Sequence, residues 1–208
     1  MEVEEEVKPK DRILSHVEQR FLTDGFNKVT LDELSGELGI SKKTMYKFFP
    51  SKEELVTTMM RVLMQRMEKN VAEICESEKP ALHKLAELML FVGKFAGRIS
   101  RAYQMDIQRF LPTLWKEVDK FRNEKVLSRV AMMIRQAKNE GKFRSDVNDE
   151  VVMMMFIGSV QSIVTPEVLS QHSFSPKEAM YTIFHVIFEG SLSDDARKEF
   201  LNYEITIP

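Results

Sequence analysis

With 208 residues, of which 43% are hydrophobic and 30% charged, the chain has the balance of a soluble globular protein and enough length to bury a core. Its 8 glycines and 7 prolines leave long helices uninterrupted, and its single cysteine, Cys75, excludes a disulfide within the chain. Because the net charge is -2, a nucleic-acid binder of this composition must concentrate its positive charge locally.

Neither the first residues nor the apolar runs of the sequence suggest export or a membrane span. Met1–Glu6 lacks the basic and then apolar stretch of a signal peptide, and the longest apolar run, Val151–Ile157, is too short to cross a bilayer. The histidines show no metal-ligand spacing. We therefore expect a soluble, cytoplasmic protein without a metal or other cofactor and without a membrane partner.

The chain begins with an acidic segment and a first helix. Residues 1–9 are acidic, end in Pro9 and lack apolar periodicity, which predicts a disordered tail. The apolar positions of Asp11–Asp24 then follow helical spacing, and Gly25 stands where a helix C-cap prefers glycine.

Two short helices around a glycine follow. Thr30 and Glu33 have the capping-box spacing that opens a helix, and this helix ends at Gly39. Ser41 is a good N-cap for the next helix, which Pro50 cuts off. Two capped helices around a tight turn have the layout of a helix-turn-helix.

The rest of the chain is also helical in pattern. Ser51 opens a helix that can run to about Cys75, long enough to bridge two domains. The later helices are predicted over Pro80 to about Arg98, Ser100–Phe110, Pro112–Asn139, Asn148–Thr165 and a last one opened by Ser175. An all-α fold is predicted.

Positive charge is concentrated at the predicted helix-turn-helix. The lysines are Lys42, Lys43, Lys47 and Lys52, and no acidic residue lies between Ser41 and Lys52. Lysine ammonium groups neutralise DNA phosphates and release counterions, which supplies much of the affinity of DNA-binding proteins. A lysine cluster alone fits an ordinary solvated face as well as a DNA-binding one. The DNA-binding interpretation therefore depends on the capped helices and the turn as well.

The same segment offers groups for phosphate contact and for base contact. Hydroxyl donors suited to phosphate oxygens are Thr30, Ser41, Thr44 and Tyr46. Three apolar side chains of the short helix are expected to face the core: Met45, Phe48 and Phe49. The side chains left to face the major groove are Lys42, Lys43, Thr44 and Lys47.

This stretch resembles the tetracycline-repressor (TetR-like) family of bacterial regulators. The match runs over about residues 10–56 and is most specific from Gly39 to Leu55. The resemblance implies a three-helix DNA-binding domain at residues 10–56 and an effector-binding and dimerisation bundle at residues 57–208.

The resemblance also implies roles for single residues. Tyr46 and Lys52 would contact phosphates, while Thr30 and Ser41 would cap helices and touch the DNA backbone. Gly36 stands where the family usually has alanine, which affects helix stability more than chemistry.

The resemblance further implies a homodimer formed by the last two predicted helices, and their broad apolar faces agree with this. The predicted interface residues are Val152, Met153, Phe156, Gly158, Ser159, Met180, Ile183, Phe184 and Ile187. A two-fold dimer predicts a roughly palindromic operator in double-stranded DNA.

The effector pocket is harder to locate, because every candidate side chain is more readily a core residue. The candidates are Phe91, Phe95, Tyr103, Phe110, Trp115, Phe121, Met133, Met155 and Phe156. Their abundance favours a small apolar or aromatic effector of unknown identity over a sugar or a nucleotide.

Three functions are open to a helical chain with these features. The pattern favours a repressor that an effector releases from its operator. A helical enzyme would need a nucleophile with a base, a carboxylate pair or a phosphate-binding glycine loop, and none is visible. A helical dimer that binds a protein partner and has lost DNA binding is disfavoured by the intact basic face.

Overall fold

A computed structural model describes residues 9–201 of the chain, apart from the side chains of Pro166 and Leu201. These residues are helical, and the one isolated antiparallel pairing joins Phe143 and Leu192. The all-α fold is thus confirmed. The helices are α1 (Pro9–Asp24), α2 (Leu31–Leu38), α3 (Lys42–Phe48), α4 (Lys52–Glu76), α5 (Ala81–Ala96), α6 (Arg101–Phe110), α7 (Pro112–Phe121), α8 (Ser128–Asn139), α9 (Asp149–Ile163), α10 (Pro166–Gln171), α11 (Pro176–Ser191) and α12 (Asp194–Leu201).

The structure differs from the predicted elements at three places. The long helix expected over Pro112–Asn139 is divided by a π-helical turn at Arg122–Leu127. The helix opened by Ser175 is not the last, because α12 follows it, and α10 was also missed. Both are short, so few residues carry a periodic signal. The acidic tail lies outside the described residues except for Pro9, which begins α1.

The chain forms two compact units that are not consecutive in sequence. The first runs to Gln65 and takes in Ile99–Trp115, and the second consists of Arg66–Arg98 and the residues from Lys116 onward. Helix α6 therefore belongs to the same unit as the helix-turn-helix. The functional boundaries expected at residues 10–56 and 57–208 stay a prediction.

Aromatic rings close the core of the first unit. The Phe26 ring lies 6.1 Å from that of Phe21 and 6.1 Å from that of Tyr103, the second edge-on. The ring of Phe110, the last residue of α6, lies 6.4 Å from that of Phe26. Edge-on pairs of this kind add to the gain from burial. The segment after α1 is thereby fixed to α6.

The second unit has its own aromatic core. The Phe156 ring lies 5.5 Å from that of Phe188 and 6.3 Å from that of Phe184, while Phe184 and Phe188 are stacked at 4.3 Å. These residues join α9 to α11, and Phe200 of α12 packs on Phe184. In the described part of the chain, no helix is long and apolar enough to cross a membrane.

Candidate nucleic-acid interface

Helix α2 begins with the capping box that the sequence predicted. The Thr30 N–H donates to Glu33 Oε2 at 2.7 Å, and the Glu33 N–H donates in return to Thr30 Oγ1 at 3.1 Å. The Thr30 backbone N–H and then its hydroxyl lower the pKa of the Glu33 carboxyl, because both donate to the charged form. The start of α2 is thus fixed by reciprocal bonds.

The turn between α2 and α3 depends on Gly39. Its φ of 66° lies in the left-handed region, where a Cβ is strained. The Gly39 N–H donates to Gly36 O at 3.1 Å and the Ile40 N–H donates to Ser35 O at 3.0 Å, which satisfies the last carbonyls of α2. The chain can therefore reverse within three residues and begin α3.

Helix α3 has one buried and one exposed face. Ser41 caps it by accepting from the Thr44 N–H at 3.1 Å. Met45 is fully buried, and Phe49, which follows the helix, is 1% exposed. Tyr46 on the other face is 50% exposed, and Lys43 and Lys47 are exposed beside it. The apolar anchors thus direct the polar side chains outward, as a helix that enters a groove requires.

The four predicted lysines do not share one environment. Lys42 forms an ion pair with Asp32 at the start of α2. Within residues 9–201, the exposed Lys43 and Lys47 have neither a hydrogen bond nor an ion pair. The structure thus leaves these two ammonium groups to meet an external anion.

Lys52 differs from the other three lysines because its ammonium group turns into the protein. Its Nζ donates to Asn27 O and to Val29 O, each at 2.9 Å. Burial lowers the pKa of Lys52, against the opposing attraction of Asp106 and Glu33. The sequence did not single out Asp106, which lies 79 residues from its partner Asn27.

This site belongs to a known kind of protein. Residues 13–59 match the family described as bacterial regulatory proteins of the tetR family. The segment that holds this site is thus a DNA-binding domain of the tetR type. The matched residues contain α2, α3 and the start of α4, and so the whole helix-turn-helix.

Two curated relatives match most of the chain. It is 24% identical over 185 residues to the HTH-type transcriptional regulator YvaF of Bacillus subtilis, covering 88% of this chain and 96% of that protein. It is 22% identical over 164 residues to the nucleoid occlusion factor SlmA of Photobacterium profundum, covering 75% and 81%.

Solved structures of regulators share the fold. A TetR-family regulator from Agrobacterium tumefaciens has a TM-score of 0.67 at 16% identity, covering 88% of this chain and 97% of its own. A regulator from Saccharomonospora viridis in complex with choline scores 0.65 at 16% identity, with the same coverages. FadR from Bacillus subtilis in complex with stearoyl-CoA scores 0.60 at 14% identity, covering 86% and 97%.

The residues predicted for an effector pocket are dispersed. Tyr103 and Phe110 lie in the first unit against Phe26. Met133 and Phe156 lie in the apolar core of the second unit, and Met155 is 55% exposed. Trp115 lies in the first unit and Phe121 in the second, and both are half-buried, as is Phe95.

Phe91 is the one predicted pocket residue that lines a described cleft. This cleft, of about 420 Å³, lies between α4 and α5 in the second unit. Its lining residues are Asn70, Glu73, Ile74, Ser77, Lys79, Glu87, Leu90, Phe91 and Lys94. Charged groups thus flank an apolar floor. Among residues 9–201, no cluster of three or more histidine, cysteine, aspartate or glutamate side chains could hold a metal.

The residues predicted for the dimer interface are partly used within the chain itself. Five are buried in the core of the second unit: Val152, Phe156, Met180, Ile183 and Phe184. The apolar periodicity of a helix cannot show whether a side chain packs within its own chain or against a partner. Met153, Gly158, Ser159 and Ile187 are half-buried. The large apolar side chains exposed on the same two helices are Val151, Met154, Met155 and Val186.

Proposed function

We propose that this regulator is a homodimeric repressor that binds a roughly palindromic operator and is released by a small effector. The observation that carries the proposal is the exposed face of α3, where Lys43 and Lys47 are held outward by the buried Met45. A helix of this kind reads base edges when it lies in the major groove. We assign base contact to Lys42, Lys43, Thr44 and Lys47, and phosphate contact to Thr30, Ser41 and Tyr46.

The homodimer is supported by the outer faces of α9 and α11. Val151, Met154 and Met155 are 51%, 69% and 55% exposed, and Val186 on α11 is 69% exposed. The first three share one face of α9, since they are three and four residues apart. Large apolar side chains clustered in this way mark a surface that a partner covers. A second copy of the chain would place two α3 helices at adjacent half-sites of the operator.

The proposed effector is small and mainly apolar or aromatic. The cleft between α4 and α5 offers an apolar floor of Ile74, Leu90 and Phe91. Lys79 pairs with Glu87 at 2.7 Å on its rim, so the ligand would also carry a polar end. The ligands of the two fold relatives, stearoyl-CoA and choline, each combine a hydrocarbon part with a charged part. Helix α4 contains residues of both units, so a displacement of its C-terminal end would affect the helix-turn-helix.

A release assay tests the repressor proposal. Purified regulator is bound to a labelled fragment of its own upstream DNA, and apolar amphiphiles are screened first by thermal shift and then for loss of fluorescence anisotropy. A compound that raises the melting temperature and releases the DNA supports the proposal, since a ligand of the folded state stabilises it. Phe91→Ala should abolish both effects, whereas Phe95→Ala, outside the cleft lining, should retain them. Compounds that stabilise the protein without releasing DNA would contradict it.

A further inference from the structure

Lys52 joins the two ends of the helix-turn-helix. It is the first residue of α4, and its Nζ binds the carbonyl oxygens of Asn27 and Val29, which lie 25 and 23 residues earlier in the chain. Thr30, the N-cap of α2, directly follows Val29. The segment between these contacts contains α2, the turn and α3. One ammonium group therefore links the residue that follows the helix-turn-helix to the residues that precede it.

Asp106 of α6 holds the same segment through the backbone of Asn27. Its Oδ2 accepts the Asn27 N–H at 2.7 Å. The Ser100 N–H, just before α6, donates to Leu22 O at 2.8 Å. Asn27 is thus held twice, at its N–H by Asp106 and at its carbonyl by Lys52.

Gly25 allows this close approach. A Cβ at this position would lie 2.7 Å from Asp106 Oδ2 and 3.1 Å from Ala102 Cβ, and its φ of 78° is left-handed. Phe26 then enters the aromatic cluster with Tyr103 and Phe110. The segment after α1 therefore packs against α6 so closely that only a glycine fits.

We propose that Asp106 and Lys52 are positioning residues for DNA binding, which hold the Gly25–Val29 segment and so set the orientation of α2 and α3. Two protons of the Lys52 ammonium are directed to protein carbonyls, and the electrostatic attraction of Asp106 and Glu33 acts on the same group. The third ammonium proton of Lys52 stays available to a phosphate, so the positioning role adds to the contact that the family resemblance implies. This role does not depend on the effector or on the dimer.

Salt dependence separates the two roles of Lys52. Each phosphate that a lysine neutralises contributes about 0.9 to the slope of log affinity against log salt concentration. Lys52→Gln should therefore weaken binding to operator and random DNA by about tenfold more than the loss of one phosphate contact, and this difference should remain after extrapolation to 1 M salt. Lys43→Gln, which removes an exposed lysine, is the matched comparison. An affinity of Lys52→Gln that equals that of Lys43→Gln after extrapolation to 1 M salt would contradict the positioning role.

The direction of the change in DNA affinity separates a positioning role of Asp106 from a purely electrostatic one. Removing a carboxylate from a DNA-binding unit should strengthen DNA binding by electrostatics alone, and the control Glu53→Ala, an exposed carboxylate next to Lys52, should do so. We expect Asp106→Ala to weaken binding roughly fivefold instead. Asp106→Asn keeps an acceptor for the Asn27 N–H and should stay within about twofold of native affinity.

Hydrogen exchange checks that the effect arises at Asn27. The Asn27 amide should exchange faster in Asp106→Ala than in the native chain and in Asp106→Asn, while the Thr44 amide, bonded to Ser41, should be unchanged. Native or tighter DNA binding by Asp106→Ala, or an unchanged Asn27 amide, overturns the proposal. Should Asp106→Ala not fold, Asp106→Asn and Lys52→Gln decide it.

Discussion

The Thr30 N–H and the Glu33 carboxylate are joined by a 2.7 Å hydrogen bond that begins the first helix of the DNA-reading segment. The bond is charge-assisted and reciprocal with the one from the Glu33 N–H. Since the pKa of Glu33 is lowered in the folded protein, its contribution to stability is present above the ordinary value of 4.5. That contribution is lost as the pH falls through the lowered value.

This gives a pH-dependent prediction for Glu33→Gln. Near pH 7 the variant should melt below the native protein, because it lacks the charged acceptor. As the pH falls below about 4.5 the two melting temperatures should converge, since the native carboxylate becomes protonated. Melting curves by circular dichroism from pH 7 to 3 measure this. A difference that stays constant over that range would show that the charge is not involved.

Gly36→Ala should stabilise the protein. Gly36 lies inside α2, is exposed, and a Cβ built there meets no atom within 4 Å. Alanine lowers the entropy of the unfolded chain, so the free energy of unfolding should rise by about 0.5–1 kcal/mol. Chemical denaturation measures the change. The control Gly39→Ala should destabilise, because that glycine has φ of 66°; equal effects of the two substitutions would contradict this account of the turn.

Tyr46 and Lys47 should differ in what they contribute to DNA binding. We expect Tyr46→Phe to weaken binding to all sequences alike, because a phosphate contact carries no sequence information. Lys47→Ala should instead alter the preference among operator variants, since its side chain is proposed to reach base edges. Affinities for operator and random DNA at one salt concentration measure both. Identical effects on the two DNAs from both substitutions would refute this division.

The dimer proposal predicts different results from two matched methionines. Met154 on α9 and Met132 on α8 are 69% and 68% exposed. A glutamate at position 154 would bring two like charges into the apolar interface, so Met154→Glu should shift the protein towards monomer by at least tenfold in dissociation constant. Met132→Glu should leave the dimer intact. Sedimentation equilibrium measures both, and a native monomer, or equal effects of both changes, would exclude this interface.

The helix-turn-helix could be predicted closely because its signals are local. Thr30, Gly39, Ser41 and Pro50 act on neighbours a few residues away, and the structure confirms the caps and the turn. The three side chains expected to face the core do so unequally: Met45 and Phe49 are buried and Phe48 is half-buried.

The remaining features depend on contacts that span long stretches of sequence. Asp106 reaches Asn27 across 79 residues, so no local pattern could assign α6 to the DNA-binding unit. The same limit applies to the apolar helices α9 and α11. Phe156 is buried within its own chain, while the neighbouring Met155 is exposed. Hydrophobicity alone does not distinguish these two environments, because an all-apolar helix has no marked polar face.

Footprinting of the native protein on its own upstream DNA tests the central claim most directly. A dimer that reads DNA through α3 should protect two half-sites whose centres are about 10 base pairs, or a multiple of this, apart. The Lys43→Gln and Lys47→Gln double variant should lose both footprints while keeping the native melting temperature, because both side chains are exposed. No protected site on the native DNA, or the same protection by the double variant, would contradict the assignment of α3 as the DNA-reading helix.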